Sequence, residues 1–240
     1  MTAVIPPPRT TAGLRATQLL TRIEDGERLH ALLWSPGPGW RMVSSAVLGG
    51  GIGERAWVLN AQVSHGYRRT DPDRHLAALA GDAGARGPGV GLMTAADVSQ
   101  HAHTHDSGVD GVVTAGIEVR GWAASPVEGT LGPADPGTIN IVAALPVMLS
   151  DAALVNAVAT ATEAKVQALL DAGHDCSGTP TDAVCIAART SRAGEEVHAF
   201  AGPRSLWGAR LARAVYQAVL AAASDQPVQR QPAYAPGGPH

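Results

Sequence analysis

Residues 137–188, GTINIVAALPVMLSDAALVNAVATATEAKVQALLDAGHDCSGTPTDAVCIAA, hold most of the side chains whose types and spacing suit chemistry. Over 137–145 the residues alternate, which predicts a strand with Thr138 and Asn140 on one face and Ile139, Ile141 and Leu145 on the other. Pro146 ends that run, and Ser150 with Asp151 offers an N-cap and an early acid for the next element. Ala and Leu richness, closed by Gly173 as a natural C′ residue, predicts a helix over 151–172. At about 100° per residue, Val155, Val158, Val166 and Leu169 form an apolar face, with Asn156, Thr160, Glu163 and Gln167 in a polar stripe opposite. Lys165 breaks the pattern, falling between Leu154, Val158 and Leu169 on the apolar side. Either its stem packs and its amine snorkels outward, or it is a partly buried amine in a site, where desolvation disfavours the charge. In the second case its expected partner is Asp182, at the start of the following strand. Glu163 stands two residues from Lys165, so the pair should not converge on one atom.

Other candidates lie outside this stretch. HAHTHDSGVDGVVTAG predicts two strands around Asp106, Ser107 and Gly108. Strand periodicity then sets His101, His103 and His105 on one face beside Asp106, a row that can bind zinc or nickel. A polar hairpin tip in solvent gives the same pattern, and the expectation is no metal. Gly49-Gly50-Gly51-Ile52-Gly53 resembles a phosphate loop weakly, because neither the dinucleotide fingerprint nor a Walker Lys follows. A tight turn that lets backbone approach a ligand is the expectation there. Cys176 and Cys185 have no metal-ligand spacing, and Cys185 sits in an apolar run as a core thiol. No G-x-S-x-G elbow and no H-E-x-x-H motif occurs.

The elements that must position these groups are legible in outline. The chain has 240 residues, enough for one large domain or two small ones, and its 28 glycines point to many loops. A net charge of −3 gives no reason to expect nucleic acid or an anionic membrane surface as partner. No segment has the apolar length to span a bilayer. MTAVIPPPRT lacks a basic region followed by an apolar core, so no signal peptide is read and the cytoplasm is expected. Residues 1–12 read as a loose tail, 13–224 as one domain and 225–240 as a disordered Pro/Gln tail. Strand-like runs fall at 14–20, 29–34, 42–48, 56–63 and 89–98, a short helix capped by Asp71 at 71–80, and a long helix at 205–223. Residues 120–136 form a Gly/Pro-rich connection. Strands run early and the long helices come late. The predicted fold is therefore α+β, a mainly antiparallel sheet flanked by helices in a single domain, rather than a doubly wound parallel sheet.

Seven motifs in order, SSAVLGGGIGERAWVLNAQV, GVGLMTAADV, VVTAGI, PGTINI, LSDAALVNAVATATEAK, GTPTDAV and GPRSLWGARLARAVYQAVLA, resemble the adenosylcobinamide amidohydrolases (CbiZ-type). The resemblance covers most of residues 40–223. It implies hydrolysis of the aminopropanol amide of adenosylcobinamide to adenosylcobyric acid and 1-amino-2-propanol, in salvage of incomplete corrinoids. It also implies a small-molecule corrinoid as partner and no cofactor beyond the cobalt the substrate carries; a homo-oligomer is left open. One departure stands out. Many relatives carry an Asn after the TAG motif, whereas this chain reads TAGIEVRGWAA and offers Glu118 instead.

Amide hydrolysis needs a nucleophile, a proton donor for the leaving amine and charge stabilisation for the tetrahedral intermediate. The matched motifs offer water activated by Glu163 or Asp182, with Asn140 and Thr181 donating hydrogen bonds and Lys165 tuning charge. Asn60, Thr94, Asp97, Thr114, Thr138 and Thr179 complete the set as substrate-binding candidates. Structural alternatives stand beside each: Asn140 at a sheet edge, Thr181 and Asp182 in a capped turn, Glu163 in solvent. Two other functional classes remain, a corrinoid-binding protein without turnover and a self-processing hydrolase with Thr138 as a new N-terminal nucleophile. GTINI reads as an uninterrupted strand, so an intact chain is the expectation.

Overall fold

The computed structural model describes residues 13–125, 137–190 and 194–224, so the two predicted tails and part of the Gly/Pro-rich connection lie outside the described residues. After a short 3-10 turn at Leu14–Ala16, the elements run β1 Gln18–Glu24, β2 Glu27–Trp34, β3 Trp40–Ser44, β4 Gly51–Glu54, β5 Trp57–Gln62, α1 Pro72–Asp82 and β6 Gly89–Thr94. They continue β7 Ala102–Asp106, β8 Val109–Gly116, β9 Thr138–Leu145, β10 Met148–Leu149, α2 Asp151–Asp171, β11 Ala183–Arg189, β12 Val197–His198 and α3 Leu206–Ser224.

The strands divide into two stacked sheets where the sequence suggested one. A four-stranded sheet has the order β1-β2-β5-β6, and a six-stranded sheet the order β4-β3-β11-β9-β8-β7. Val58, Val90 and Leu92 of the first meet Met42, Val112, Val142 and Cys185 of the second in one core. On the far face of the larger sheet, Ile139, Ile141 and Leu145 pack against α2 and α3. On the far face of the smaller one, Ala31, Leu59 and Ala61 pack under Leu76 and Ala80 of α1. The layers thus run helix, sheet, sheet, helix. Most pairings are antiparallel, but β5–β6, β9–β11 and the two-stranded β10–β12 are parallel. Two of these follow from connectivity: α1 carries the chain from β5 to β6 and α2 from β9 to β11, and parallel neighbours need such a crossover.

The alternation read along β9 is present: Thr138 and Asn140 look between the sheets, whereas Ile139 and Ile141 face the helices. Ser150 caps α2 by accepting from the Ala153 amide, 3.1 Å. The predicted faces of α2 need correction. Its buried side is alanine-rich, with Ala153, Ala157, Ala161, Ala164 and Ala168 inside together with Leu154 and Leu169, while Val155 is 58% exposed. Thr160, predicted in the polar stripe, is buried and donates to the Ala201 carbonyl, 2.8 Å. The helix packs on both β-sheet and α3, and small side chains let it approach both.

Other expectations shift locally. Asp71 stands at the N-terminus of α1 without capping it, because its carboxylate is held by the Arg69 guanidinium. The glycine run makes no ligand cradle: Gly51–Glu54 is edge strand β4, and the Gly49 carbonyl accepts from Arg55 at 3.1 and 3.3 Å. Cys185 is a core residue whose thiol burial pushes up to about 12, so it is inert as a nucleophile. No helix among the described residues is long and apolar enough to cross a membrane.

Candidate active site

Lys165 projects from the buried side of α2 and forms an ion pair with Asp182, one residue before β11. The amine is therefore inside; it does not snorkel. Both partners are largely buried, with side chains 9% and 13% exposed. Asp182 is saturated. Its Oδ2 also accepts from the Thr179 amide (3.2 Å), and its Oδ1 accepts from the Thr179 hydroxyl (2.5 Å) and the Ile139 amide (2.9 Å). One carboxylate thus ties α2, the turn before β11 and the start of β9 together. The turn itself must pass very close. A Cβ on Gly178, whose φ is +151°, would stand 2.2 Å from Asp182 Oδ2 and 2.5 Å from Lys165 Nζ, so only glycine fits.

The same turn delivers hydroxyls to the first residues of β9. Thr138 Oγ1 and Thr181 Oγ1 are 2.6 Å apart. The Gly137 carbonyl lies 2.8 Å from the Thr179 hydroxyl, whose single proton it shares with Asp182, and 3.1 Å from the Thr181 hydroxyl. Thr138, Thr181 and Asp182 line one side of a cleft of about 460 Å³ between the ends of the two sheets. Residues at or beyond the ends of β3, β5 and β6, among them Ser45, Ser64, His65 and Thr94 with Tyr67 beyond, line the remainder.

Deeper between the sheets lies a polar clasp. Asn60 of β5 donates to the Thr114 hydroxyl (2.9 Å), and Asn140 donates to Asn60 Oδ1 (2.8 Å) and to the Met93 carbonyl (3.0 Å). All three side chains are buried. Asn140 therefore sits in a central strand and joins the two sheets, not at an edge. Its Oδ1 is a buried acceptor with no partner among the described residues, two residues along β9 from Thr138. Such an atom costs stability unless a bound group satisfies it.

The structure thus gathers Asn60, Thr114, Thr138, Asn140, Lys165, Thr179, Thr181 and Asp182 at one end of the sheets, with Thr94 at the cleft wall. It leaves others out. Glu163 is exposed on α2 and lies outside the cleft. Asp97 caps a 3-10 turn by accepting from the Ser99 amide, 2.9 Å. Glu118 is exposed and does not reach the cleft. The histidines sit at the other end of the larger sheet: His105 Nδ1 meets Asp110 Oδ1 at 2.7 Å, His103 approaches the same oxygen at 3.8 Å, and His101 turns to the Val98 carbonyl. Among the described residues no group of three or more His, Cys, Asp or Glu is arranged to hold a metal ion. Sequence reading missed Ser45, Ser64, His65 and Tyr67. They enter from strand ends far apart in the chain, and only the matched motif around Ser45 pointed to any of them.

The arrangement offers hydroxyl nucleophiles, a fixed buried charge pair and amide groups beside a cleft, the components of acyl transfer. Comparison with known proteins agrees. The family model described as adenosylcobinamide amidohydrolase matches residues 16–231. A protein of that name from Methanosarcina mazei is 30% identical over 188 residues, covering 74% of this chain and 87% of its own length. Another of that name from Halobacterium salinarum is 43% identical over 88 residues, 37% of this chain and 36% of its own. Among solved structures, the PH0078 protein from Pyrococcus horikoshii OT3 aligns with TM-score 0.46 and 12% identity, over 86% of this chain and 83% of that one. The protein is an enzyme of the class that hydrolyses amide bonds. It belongs to the adenosylcobinamide amidohydrolase family.

Proposed function

We propose that this chain cleaves the aminopropanol amide of adenosylcobinamide, releasing adenosylcobyric acid and 1-amino-2-propanol. The observation that supports this reading is the cleft at the ends of the two sheets, with threonine hydroxyls on one wall. Its volume of about 460 Å³ is at the lower end of small-molecule sites. A single amide-bearing arm of a corrinoid fits; the macrocycle does not, and rests at the mouth beside the half-exposed Val47. Asn140 Oδ1, two residues along β9 from Thr138, is an acceptor suited to the N–H of the bound amide, and the Thr138 and Thr181 hydroxyls on the cleft wall stand beside its carbonyl. Asp182, occupied by four contacts, positions the threonines, and Lys165 compensates its buried charge. Glu163 has no part, because it faces solvent. The reading needs no cofactor of the protein's own, since cobalt arrives in the substrate, and the cytoplasm is its setting. The test is incubation with adenosylcobinamide followed by mass analysis. Equimolar adenosylcobyric acid and 1-amino-2-propanol are expected; tight binding with neither product would make the chain a corrinoid-binding protein instead.

A further inference from the structure

We propose that the chain cuts itself between Gly137 and Thr138, and that Thr138, freed as an N-terminal residue, is the nucleophile of the amidohydrolase site. Three features carry this. First, and against the expectation of an intact chain drawn from GTINI as one uninterrupted strand, β9 begins only at Thr138, so the Gly137–Thr138 bond lies at the strand's end and its loss leaves the strand whole. The new terminus stays anchored, because the Ile139 amide donates to Asp182 (2.9 Å) and β9 is paired on both sides with β8 and β11.

Second, a hydroxyl links the side chain of Thr138 to the carbonyl of the bond before it. The Thr181 hydroxyl lies 2.6 Å from Thr138 Oγ1 and 3.1 Å from the Gly137 carbonyl oxygen. A hydroxyl carries one proton, so Thr181 can accept from Thr138 while donating to the Gly137 carbonyl. That arrangement polarises the carbonyl and draws the proton from the attacking oxygen in one relay. Thr179 lies 2.8 Å from the same carbonyl oxygen, but its single proton is shared with Asp182 Oδ1 at 2.5 Å, so Thr181 carries the polarisation. Gly137 is held closely, since a Cβ there would meet the Gly116 and Val119 carbonyl oxygens at 2.8 Å.

Third, Thr138 is 4% exposed yet lines the cleft. Among the described residues its hydroxyl meets Thr181 and no other side chain, and threonine is not required to start a strand. Of the hydroxyl residues of the cleft, Thr138 is the one whose preceding carbonyl accepts from Thr181, the hydroxyl that also meets its own Oγ1.

The atoms balance with water as the only co-reactant. Thr138 Oγ1 attacks the Gly137 carbonyl carbon; the C–N bond to Thr138 breaks and its nitrogen takes the hydroxyl proton, leaving an ester. Water hydrolyses the ester, giving a Gly137 carboxylate, a restored Thr138 hydroxyl and a free α-amine. In turnover, which rests on the function proposed above, the α-amine takes the proton from Oγ1 as Oγ1 attacks the substrate amide. The leaving aminopropanol nitrogen receives that proton, and water releases cobyric acid from the second ester.

Denaturing mass analysis of the purified full-length gene product tests the cleavage without any corrinoid. Two fragments in equal amounts are expected, the second beginning Thr138-Ile139-Asn140. Thr138→Ala should stay a single chain with an unchanged circular dichroism spectrum, and Thr138→Ser should still be cut. Hydroxylamine should speed cleavage and leave a hydroxamate on Gly137 by intercepting the ester. A wild-type chain that remains intact overturns the proposal, whether or not it hydrolyses adenosylcobinamide. Cut protein that releases no aminopropanol supports self-cleavage and removes only the assigned substrate.

Discussion

Each end of the six-stranded sheet carries a carboxylate surrounded by partners, and the two are spent differently. At the Thr138 end, Asp182 is met by a buried ammonium, two backbone amides and a threonine hydroxyl, and the assembly opens on a cleft. At the other end, level with Ala144 of β9, Asp110 is met by His105 and by the Leu14 amide at 3.2 Å. Its neighbours are a hairpin edge and the 3-10 turn at Leu14–Ala16. Beside it, Arg213 of α3 holds Asp106 in a two-point contact at 2.7 and 2.8 Å. Both ends are dense in titratable groups. Density is a poor guide; what separates them is burial of a charge pair, hydroxyls without structural duty and space for a ligand.

The largest effect that could break this contrast lies in the ion pair. Lys165→Met leaves the Asp182 carboxylate buried without its counter-charge, which should cost about 3–5 kcal/mol of stability. Turnover should fall by roughly 10²-fold, the scale of losing one electrostatic partner. Asp182→Asn should fall similarly, and the double variant should be no worse than either single one. Additive losses in log turnover would show that the two residues act separately.

Gly178→Ala sharpens the same point without removing a charge. The added methyl would sit 2.2 Å from Asp182 Oδ2 in a backbone region L-residues avoid, so the pair must part at a cost of about 1–3 kcal/mol. Turnover should drop about tenfold, the scale of a displaced acid–base contact, with thermal stability falling alongside. Retained turnover and melting temperature would show that the close approach is dispensable.

At the opposite end, changing His101, His103 and His105 together to Ala should leave turnover within a few-fold. Complete loss, restored in the chelated native protein by added zinc, would move the site to that end. A smaller effect concerns pH. Burial lowers the His103 imidazole from its ordinary value more than Asp110 raises it. A group depressed in the folded state contributes stability above its unfolded value of about 6.5, and that contribution is lost as pH falls below it. His103→Gln should therefore flatten, slightly, the decline of melting temperature below pH 6.5; an unchanged slope would show that the ring is not desolvated.

The same contrast explains what could be read in the chain. Lys165 was legible because a charge on an apolar face has few outcomes, and the strand phase of Thr138 and Asn140 was legible because alternation is local. The second sheet was not. β8 and β9 are buried on both faces, and a strand covered on both sides does not reveal what covers it. The phase of α2 was lost because its buried alanines carry less hydropathy than the exposed Val155. The cleft was invisible because its walls, Ser45, His65, Thr94 and Thr181, come from four strand ends brought together only by folding. Asp71 failed as a cap because Arg69, two residues away, competes for the carboxylate.

The most direct test of the contrast is the rate of 1-amino-2-propanol release from adenosylcobinamide by three proteins side by side. The wild type should release one aminopropanol per cobinamide consumed. The triple-histidine variant should match it within a few-fold, and Lys165→Met should run at roughly a hundredth of the rate. Wild-type release from Lys165→Met together with none from the triple-histidine variant would place the chemistry at the wrong end of the sheet and contradict the account.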